Sequence, residues 1–414
     1  MKNRKKRILW ANTYCLLDTS SGASMSVRQI LLQLVQSGYE VKVLGATNFD
    51  SMEGALSLRK LVKDANAGQF ISVNDGPLTH RLLATSTVKR KDMTGKEEGA
   101  WLSEYFNTLK SEKPDLLFFY GGSSTDLMIA SEARIYGIPS MFYLANENYK
   151  GTRWARDVDL IITDSQATEK LYRSRNGLAP VPVGKFIDPA KFIAKSHERK
   201  NLLFVNPSAS KGVGIVFMLA KMLQEKAPDI RIEVLQSRGS WDQNVRFFAD
   251  KLGVKKPLQN IILTPHTDDM RPVYGRARLL LAPSLWWDSG PRVLAEAMLN
   301  GIPAVVTDHA GLPEMAGEGG IKIKLPPECF EKPYKNLPPE SALAETVEAI
   351  IRLHRDEALY NEHVQAAFKV GRERHDISVS TRRLLDVMEP LLEKSAGDAD
   401  FTKLEKAAFK MDLR

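Results

Sequence analysis

The sequence predicts an α/β protein built from two doubly wound parallel sheets. Near-continuous apolar runs alternate with segments of helical periodicity, a pattern typical of parallel strands covered by helices on both faces. The chain has 414 residues, of which 43% are hydrophobic and 26% charged. This length exceeds one ordinary hydrophobic core, and the composition is that of a globular chain. We therefore expect two folded domains.

The first series of strands and helices occupies the N-terminal half. Its helical segment from Val27 to Gln36 places Ile30, Leu31 and Leu34 on one face. The predicted strands are 8–11, 41–44, 116–120, 141–144 and 160–163. This series predicts a first domain over residues 1–195.

The second series begins after a segment rich in proline and charge, residues 180–200, which we interpret as a linker. Its predicted strands are 202–205, 232–235, 261–263, 279–281 and 304–306. We expect a second domain over residues 196–375. From about Ser341 the chain is predicted to be helical, and a last helix at about 376–414 is assigned to the first domain.

The most informative segment runs from Pro283 to Asp308, where the pattern predicts strand, tight loop, helix, turn and strand. Asp288 lies in the loop, and Glu296 lies on the helix that begins after Gly290-Pro291. The N-terminus of a helix offers unpaired N–H groups and a positive dipole end, which suit a phosphate. Carboxylates beside it suit sugar hydroxyls, since an ionised carboxylate accepts two hydrogen bonds at once.

A second loop has the composition of a phosphate cradle. Asn206-Pro207-Ser208-Ala209-Ser210-Lys211-Gly212 follows a strand and opens a helix, so that backbone N–H groups and the Lys211 ammonium can converge on a diphosphate. A glycine-rich turn with an exposed lysine is the structural alternative. A dinucleotide fingerprint fails here, because its third glycine would fall at Phe217.

These motifs resemble the signature of the retaining glycosyltransferases of GT-B fold, glycosyltransferase family four. That family carries two acidic residues separated by seven, matched here by Asp288 and Glu296. Its lysine is matched by Lys211-Gly212, and its glycine-rich turns by Gly301-Ile302-Pro303 and Gly311-Leu312-Pro313. The resemblance implies two Rossmann-like domains facing across a deep cleft, with the C-terminal helix crossing back to the N-terminal domain.

The resemblance also implies roles for individual residues. Lys211, Asp288 and Glu296 would be catalytic, with Glu296 on the ribose hydroxyls and Asp288 on the transferred sugar. Asp288 is one methylene shorter than the family's glutamate, which puts the identity of the sugar in doubt. The family's arginine shortly before the lysine is missing, and Arg292 could compensate. The remaining donor-binding residues would be Gly22, Asn206, Ser208, Gly212, His266, Ser289, Gly290, Arg292 and Val293.

A sugar or acceptor subsite is implied at Asn146, Glu147 and Trp287. The family often presents a histidine after this strand, and this sequence has none there. Asn146 and Glu147 are equally compatible with a simple turn. Gly22 lies in a serine-rich segment, residues 18–24, that could be only a helix N-cap. His266 could be a surface histidine.

The implied function is retaining transfer of a sugar from a nucleoside-diphosphate sugar to a glycan or lipid-linked acceptor, in cell-surface polysaccharide biosynthesis. The nucleotide sugar is a substrate, and no cofactor is expected. A nucleotide-sugar epimerase or phosphorylase of the same fold, and a non-catalytic nucleotide-binding protein, are the alternatives. Asp157-Val158-Asp159 resembles the metal-binding motif of a different glycosyltransferase fold, but it leads directly into a strand, so we expect no metal.

Charge and cysteine content bound the partners and the compartment. The net charge is +8, but no nucleic-acid motif accompanies it, so we expect no nucleic acid. The basic cluster Lys2–Arg7 could contact an anionic membrane or merely flank the first strand. Two cysteines form no disulfide framework, and no apolar run approaches membrane-spanning length. We expect a cytoplasmic protein, with peripheral contact at the inner face of the membrane as an option.

Overall fold

The structure is a computed structural model that describes residues 4–58, 65–237 and 239–394. The chain divides into two compact units. Unit 1 comprises residues 1–163, 169–183 and 381–414, and unit 2 comprises residues 164–168 and 184–380. The sequence-based boundary at 195/196 thus differs from the structural one at 183/184. Within the predicted C-terminal helix, residues 395–414 lie outside the described residues.

Unit 1 contains an eight-stranded sheet in the order β3-β4-β2-β1-β5-β6-β7-β8. All neighbouring strands are parallel except β3 and β4, which form an antiparallel hairpin. The strands are β1 (Arg7–Ala11), β2 (Glu40–Ala46), β3 (Phe70–Asp75), β4 (Leu78–Leu83), β5 (Leu116–Phe119), β6 (Ser140–Leu144), β7 (Leu160–Thr163) and β8 (Val181–Pro182). The central strands β5 and β6 are fully buried, as their apolar runs predict.

The helices of unit 1 begin with well-formed caps. Thr94 and Ser123 each form a capping box with the acidic residue three positions later, which satisfies two otherwise unpaired N–H groups at each helix start. The helices are α1 (Gly22–Gln36), α2 (Gly95–Glu112), α3 (Ser124–Ile135) and α4 (Gln166–Asn176), of which α4 has its first residues in unit 2.

Unit 2 contains a six-stranded, wholly parallel sheet in the order β11-β10-β9-β12-β13-β14. Its strands are β9 (Asn201–Val205), β10 (Ile232–Leu235), β11 (Ile261–Thr264), β12 (Ala277–Ala282), β13 (Ala304–Thr307) and β14 (Gly320–Ile323). Two buried apolar clusters pack against it. The five strands predicted for this half are confirmed, and β14 was missed by the sequence reading.

The helices of unit 2 surround this sheet and continue to the C-terminal part of the chain. They are α5 (Pro189–Phe192), α6 (Val213–Lys226), α7 (Trp241–Lys251), α8 (Arg271–Arg276), α9 (Arg292–Leu299), α10 (Leu312–Ala316), α11 (Ser341–Arg355), α12 (Glu357–Val370) and α13 (Ile377–Lys394). Helix α13 begins in unit 2 and returns to unit 1 at Thr381. In unit 1 it lies beside β1, because Lys6 Nζ donates to the carbonyl of Leu392 at 3.3 Å. The predicted return of the last helix is confirmed to this extent.

The basic N-terminal segment flanks the first strand of unit 1. The guanidinium of Arg4 donates two hydrogen bonds to the Asp115 carboxylate, at 2.8 and 3.0 Å, in a bidentate pair. Lys6 contacts the same carboxylate. Arg7 pairs with Glu40 at 3.3 Å. Residues 2 and 3 of the predicted membrane-contacting cluster lie outside the described residues. The three cations named here have partners within the protein, as the structural alternative predicts.

The acidic pair of the Asp157-Val158-Asp159 segment has protein partners. Asp157 accepts hydrogen bonds from Arg134 and Arg156, and Asp159 accepts from the N–H of Ser140 at 2.8 Å. These carboxylates fix the entry to β7. Among residues 4–58, 65–237 and 239–394, no cluster of three or more histidine, cysteine or acidic side chains has the arrangement of a metal site.

Candidate functional site

The Lys211 loop of unit 2 joins β9 to α6 through two residues with left-handed backbone. Asn206 has φ 63° and Gly212 has φ 82°, and a single 3-10 turn, Ala209–Lys211, lies between them. Asparagine tolerates this conformation better than most residues. At Gly212 a Cβ atom would lie 2.0 Å from the carbonyl oxygen of Pro283, so only glycine fits.

The Lys211 loop is hydrogen-bonded to the loop that carries Asp288. The carbonyl of Ser210 accepts the N–H groups of Leu285 at 2.9 Å and Trp286 at 3.0 Å, and the hydroxyl of Ser284 at 3.2 Å. The two loops follow β9 and β12, which are neighbours in the sheet. Parallel neighbours end at the same sheet edge, where such folds bind ligands. The Lys211 loop and the Asp288 loop therefore lie side by side at one edge of the unit 2 sheet.

Lys211 and Asp288 form an ion pair at the centre of this edge. Lys211 Nζ lies 2.8 and 2.6 Å from the two carboxylate oxygens of Asp288. The backbone of Asp288 is fixed as well, because its carbonyl accepts the N–H of Gly311 at 2.9 Å. The Lys211 side chain is 31% exposed and that of Asp288 is 13% exposed, so a ligand can reach the pair.

Glu296 lies on α9, buried between a cation and a phenol, with its side chain 6% exposed. Its Oε2 accepts the hydroxyl of Tyr274 at 2.5 Å, and its Oε1 lies 3.2 Å from the guanidinium of Arg292. Burial raises the pKa of Glu296, and the neighbouring Arg292 charge and the Tyr274 hydrogen bond oppose that rise. The sequence reading missed Tyr274, which lies 22 residues before Glu296 and carries no periodic signal of its own.

A second buried ion pair lies against the loop of Asp288. Lys185 Nζ contacts Asp164 Oδ2 at 2.6 Å, and the two side chains are 6% and 1% exposed. Burial lowers the pKa of Lys185, whereas Asp164 opposes this effect. A Cβ atom at Gly290 would lie only 2.7 Å from the Cβ of Asp164. The sequence analysis placed Lys185 in the linker and named no partner for it, so this pair was missed.

The start of α9 presents backbone N–H groups beside these charges. Its N-cap is Pro291, and the N–H groups of Arg292 and Val293 have no i−4 partner within the helix. The side chain of Arg292 turns back to Glu296 and to the carbonyl of Phe186, at 3.4 Å. Arg292 is therefore held by protein groups in this structure.

Two further predicted donor residues lie in the Lys211 loop. The Oδ1 atom of Asn206 is buried, and no described residue donates a hydrogen bond to it. Ser208 shapes the turn, since its carbonyl accepts the N–H groups of Lys211 and Val213 at 3.1 and 3.2 Å. The Asn206 Oδ1 atom is an acceptor, so a phosphate would be bound by the Nδ2 donor of the same amide. The backbone of Ser208 is structural.

The other predicted residues of unit 2 occupy different environments. Ser289 is buried, with its hydroxyl 3.4 Å from that of Ser165. Trp287 donates its indole N–H to Thr168 at 3.2 Å and packs edge-on against His309. His266 follows β11 with its side chain 58% exposed and 3.5 Å from Asp268. Trp287 is thus positioned by neighbours, while His266 lies on the surface of unit 2.

Unit 1 holds the remaining predicted residues, at the carboxyl ends of its strands. Gly22 is the first residue of α1, and the Ser21 hydroxyl accepts the Ser24 N–H, as the N-cap alternative predicts. Asn146 follows β6 and accepts the N–H of Asn148 at 3.0 Å, so it forms a turn. The carbonyl of Glu147 accepts a hydrogen bond from Arg175 at 3.0 Å.

A cavity of about 690 Å³ lies in unit 1 and is lined in part by Ser21 and Asn146. It is bordered by the segments that follow β1, β5 and β6, including Tyr14, Tyr120 and Tyr149. Its innermost acid, Asp126, accepts the N–H and hydroxyl of Ser123 at 2.9 and 2.8 Å, and burial raises its pKa. In this region the sequence had indicated Asn146, Glu147 and the segment 18–24, which contains Ser21.

Two open, mainly parallel sheets with helices on both faces, one per unit, define the fold of the GT-B glycosyltransferases, which confirms the predicted fold class. Residues 188–369, which include the Lys211, Asp288 and Glu296 segments, match the family model described as glycosyl transferases group 1. This part of the chain therefore forms a domain of the glycosyltransferase group 1 type.

Solved structures with the same fold extend over nearly the whole chain. A sucrose-phosphate synthase from Thermosynechococcus elongatus has a TM-score of 0.67 at 13% identity and covers 94% of this chain and 100% of its own. A glycosyltransferase from Rickettsia africae has a TM-score of 0.67 at 11% identity, with 94% and 99% coverage. The Anabaena HepE protein in complex with UDP-glucose has a TM-score of 0.63 at 14% identity, with 93% and 99% coverage.

Comparison with curated protein sequences finds no match. Within residues 4–58, 65–237 and 239–394, every helix is too short or too polar to cross a membrane.

Proposed function

We propose that the protein is a retaining glycosyltransferase that moves a sugar from a nucleoside-diphosphate sugar to a glycan or lipid-linked acceptor in cell-surface polysaccharide biosynthesis. The observation that carries the proposal is the joining of the Lys211 and Asp288 loops beside Glu296, within the segment that matches glycosyl transferases group 1. The Anabaena HepE structure contains UDP-glucose, so a uridine diphosphate sugar is the first donor to test.

The diphosphate of the donor would bind between Lys211 and the start of α9. Lys211 would exchange Asp288 for a phosphate oxygen, because both partners are anionic oxygen atoms and the ammonium is partly exposed. The N–H groups of Gly290, Arg292 and Val293 would bind the distal phosphate. Asn206 and Ser208 would complete the cradle with Gly212.

The two carboxylates would bind the carbohydrate parts of the donor. Asp288, released by Lys211, would accept hydroxyls of the transferred sugar, and Glu296 would accept the ribose hydroxyls. Arg292 and Tyr274 already hold the Glu296 carboxylate in one orientation. Ser289 and Trp287 would border the sugar, and His266 would contact the base.

In the transfer step the bond between the anomeric carbon and the diphosphate oxygen breaks, and its electron pair stays on the diphosphate. The acceptor hydroxyl forms the new bond on the same face of the sugar, and its proton passes to the leaving diphosphate. Lys211 and the amide end of α9 stabilise the charge that develops on the leaving oxygen, and this chemistry needs no metal ion. Retention follows from attack on the face that the diphosphate leaves.

The first experiment identifies the donor and the stereochemistry. A thermal-shift panel of nucleotides and nucleotide sugars should show one base that raises the melting temperature, because binding to the folded state stabilises it. NMR of the product should then show the donor's anomeric configuration. An inverted product contradicts retention, and a donor altered at one carbon without an acceptor identifies an epimerase instead.

The second experiment tests the role of Lys211. We expect Lys211→Ala to lower the transfer rate by about 100-fold or more, the usual effect of removing one preorganised charge-stabilising donor. Lys226→Ala is the matched control, because Lys226 lies on α6 and pairs with Glu348 on α11, outside the candidate site. A folded Lys211→Ala protein with the rate of the control would refute the phosphate assignment.

A further inference from the structure

The cavity of unit 1 has the size and position of a ligand site, and all of its lining residues belong to unit 1. Its volume of about 690 Å³ lies within the range of about 300–1,000 Å³ that is usual for small-molecule sites. It lies at the carboxyl ends of parallel strands, where open α/β sheets bind ligands. The proposed function places the donor in unit 2, so this cavity is available for a second substrate.

Aromatic side chains form a large part of the cavity wall. The rings of Tyr14 and Tyr120 lie 5.8 Å apart, and those of Tyr149 and Trp154 lie 5.0 Å apart. All four residues line the cavity. Rigid aromatic faces pack against the C–H face of a pyranose, and the amide of Asn146 can bind its hydroxyls. The wall therefore suits a saccharide.

The inner charges of the cavity are already satisfied by protein partners. Arg90 pairs with Glu98 at 2.6 Å and donates to Thr13 at 2.6 Å, and its side chain is 11% exposed. Asp126 is held in the capping box of α3. These groups are part of the framework and leave little net charge for a ligand.

Two cations at the cavity have no such partner in the part of the chain that the structure describes. Lys150 and Arg153 line it, both are exposed, and no carboxylate of the described residues lies within ion-pair distance of either. Asp50 is the remaining exposed acid of the lining, so the accessible charges are two positive and one negative. An arginine with a lysine is a favoured combination for phosphate, which takes several charged hydrogen bonds.

We propose that this cavity binds the acceptor of the transfer reaction and that the acceptor is a phosphorylated saccharide, with its sugar ring against the tyrosines and its phosphate on Lys150 and Arg153. The assignment of this ligand as the acceptor rests on the proposed function. Binding of a phosphorylated saccharide to the cavity does not depend on turnover. A free sugar phosphate and a lipid-linked sugar diphosphate share this chemistry.

Binding to the full-length protein tests the proposal without catalysis. Calorimetry at low salt would compare hexose 1-phosphates and 6-phosphates with the corresponding neutral hexoses and with glucuronate. We expect at least one phosphorylated sugar to bind about tenfold tighter than its neutral counterpart, the effect of one charged hydrogen bond. A polyprenyl diphosphate N-acetylglucosamine of short chain would be titrated beside them, and the tighter of the two phosphorylated classes identifies the source.

In the variant Lys150→Gln/Arg153→Gln, the affinity for the phosphorylated sugar should exceed that for the neutral sugar by no more than about threefold. The control variant Lys96→Gln/Lys110→Gln has the same charge change on α2 and should keep the preference of the parent. Nucleotide binding should be unchanged in both, which separates this proposal from the proposed function. If the nucleotide binds but every phosphorylated sugar binds no better than its neutral form, the acceptor proposal is wrong. If glucuronate binds as tightly as the phosphorylated sugars, the choice of phosphate is wrong. If the parent protein binds no nucleotide, the proposed function is wrong instead.

Discussion

The two units place charge at their strand ends in opposite ways. In unit 2 the candidate site is internally neutralised, since Lys211 pairs with Asp288, Arg292 with Glu296, and Lys185 with Asp164. In unit 1 the cavity leaves Lys150 and Arg153 without a carboxylate partner among the described residues. A paired site must exchange partners when a ligand binds, whereas an unpaired site attracts an anion directly. The first arrangement favours geometric selection, and the second favours attraction that weakens with salt.

This difference predicts opposite costs of removing a cation. Lys185→Met should destabilise the protein by about 3–5 kcal/mol, because it removes the ammonium that pairs with the buried Asp164 carboxylate. Lys150→Gln/Arg153→Gln should change stability by less than about 0.5 kcal/mol, as surface substitutions usually do. Urea unfolding of the three proteins measures both effects.

The double variant Asp164→Asn/Lys185→Met provides the control for this prediction. It removes both charges, so it should be more stable than Lys185→Met alone. A Lys185→Met protein as stable as the parent would show that Asp164 is not held as a buried charge, and the contrast between the two units would lose its main support.

Substitutions at Gly212 and Gly253 test whether the candidate site of unit 2 depends on the close approach of the Lys211 and Asp288 loops. Gly212 and Gly253 both have positive φ, but a Cβ at Gly253 would meet no atom within 4 Å, whereas one at Gly212 would lie 2.0 Å from Pro283 O. Gly253→Ala should therefore cost only the left-handed strain, about 1–2 kcal/mol. Gly212→Ala should cost more and also weaken nucleotide binding.

Urea unfolding and nucleotide calorimetry on these two glycine variants separate strain from loop displacement. Equal costs with unchanged nucleotide affinity would mean that the Lys211 loop adapts freely, contrary to a preorganised phosphate site.

The sequence predicted the central strands because burial on both faces leaves long apolar runs, such as Leu116–Phe119. It did not predict the β3–β4 hairpin at the edge of unit 1. Strand β3, Phe70–Asp75, is only partly buried and mixes polar with apolar residues, so its pattern resembles a loop. Edge strands carry a weaker hydrophobic signal than central ones, and this accounts for β3 and β14, which lie at sheet edges.

The candidate site was predictable where chemistry lies in one contiguous motif, as for Asp288 and Glu296. The ion pairs of the site were not predictable, because Lys185 and Asp164 are 21 residues apart and Lys211 and Asp288 are 77 apart. Such pairs form only when the sheet brings strand ends together, and residue periodicity does not encode which ends meet. The burial of Glu296 under Tyr274 is of the same kind.

The smallest expected effect is on the pH dependence of nucleotide binding to the candidate site of unit 2. Burial raises the pKa of Glu296 above its ordinary value of 4.5. The proposed contact with the ribose needs the ionised carboxylate, so nucleotide affinity should fall with decreasing pH at a higher pH than for an exposed glutamate. The sign for stability is the reverse, because the folded state holds this proton more tightly than the unfolded state. The stabilisation from that proton is complete below about 4.5 and is lost as pH rises through the raised pKa.

Glu296→Gln should weaken nucleotide binding at neutral pH by about tenfold or more, since it replaces hydrogen bonds to a charged acceptor. It should also remove the pH dependence of nucleotide affinity that comes from the titration of the Glu296 carboxyl group. Comparing the two proteins with the same nucleotide cancels the titration of the phosphate. Glu348→Gln, on the exposed face of α11, is the matched control and should bind as the parent does. If calorimetry across the pH series gives Glu296→Gln the parent's affinity at every pH, then the buried carboxylate only supports Arg292 and does not contact the nucleotide.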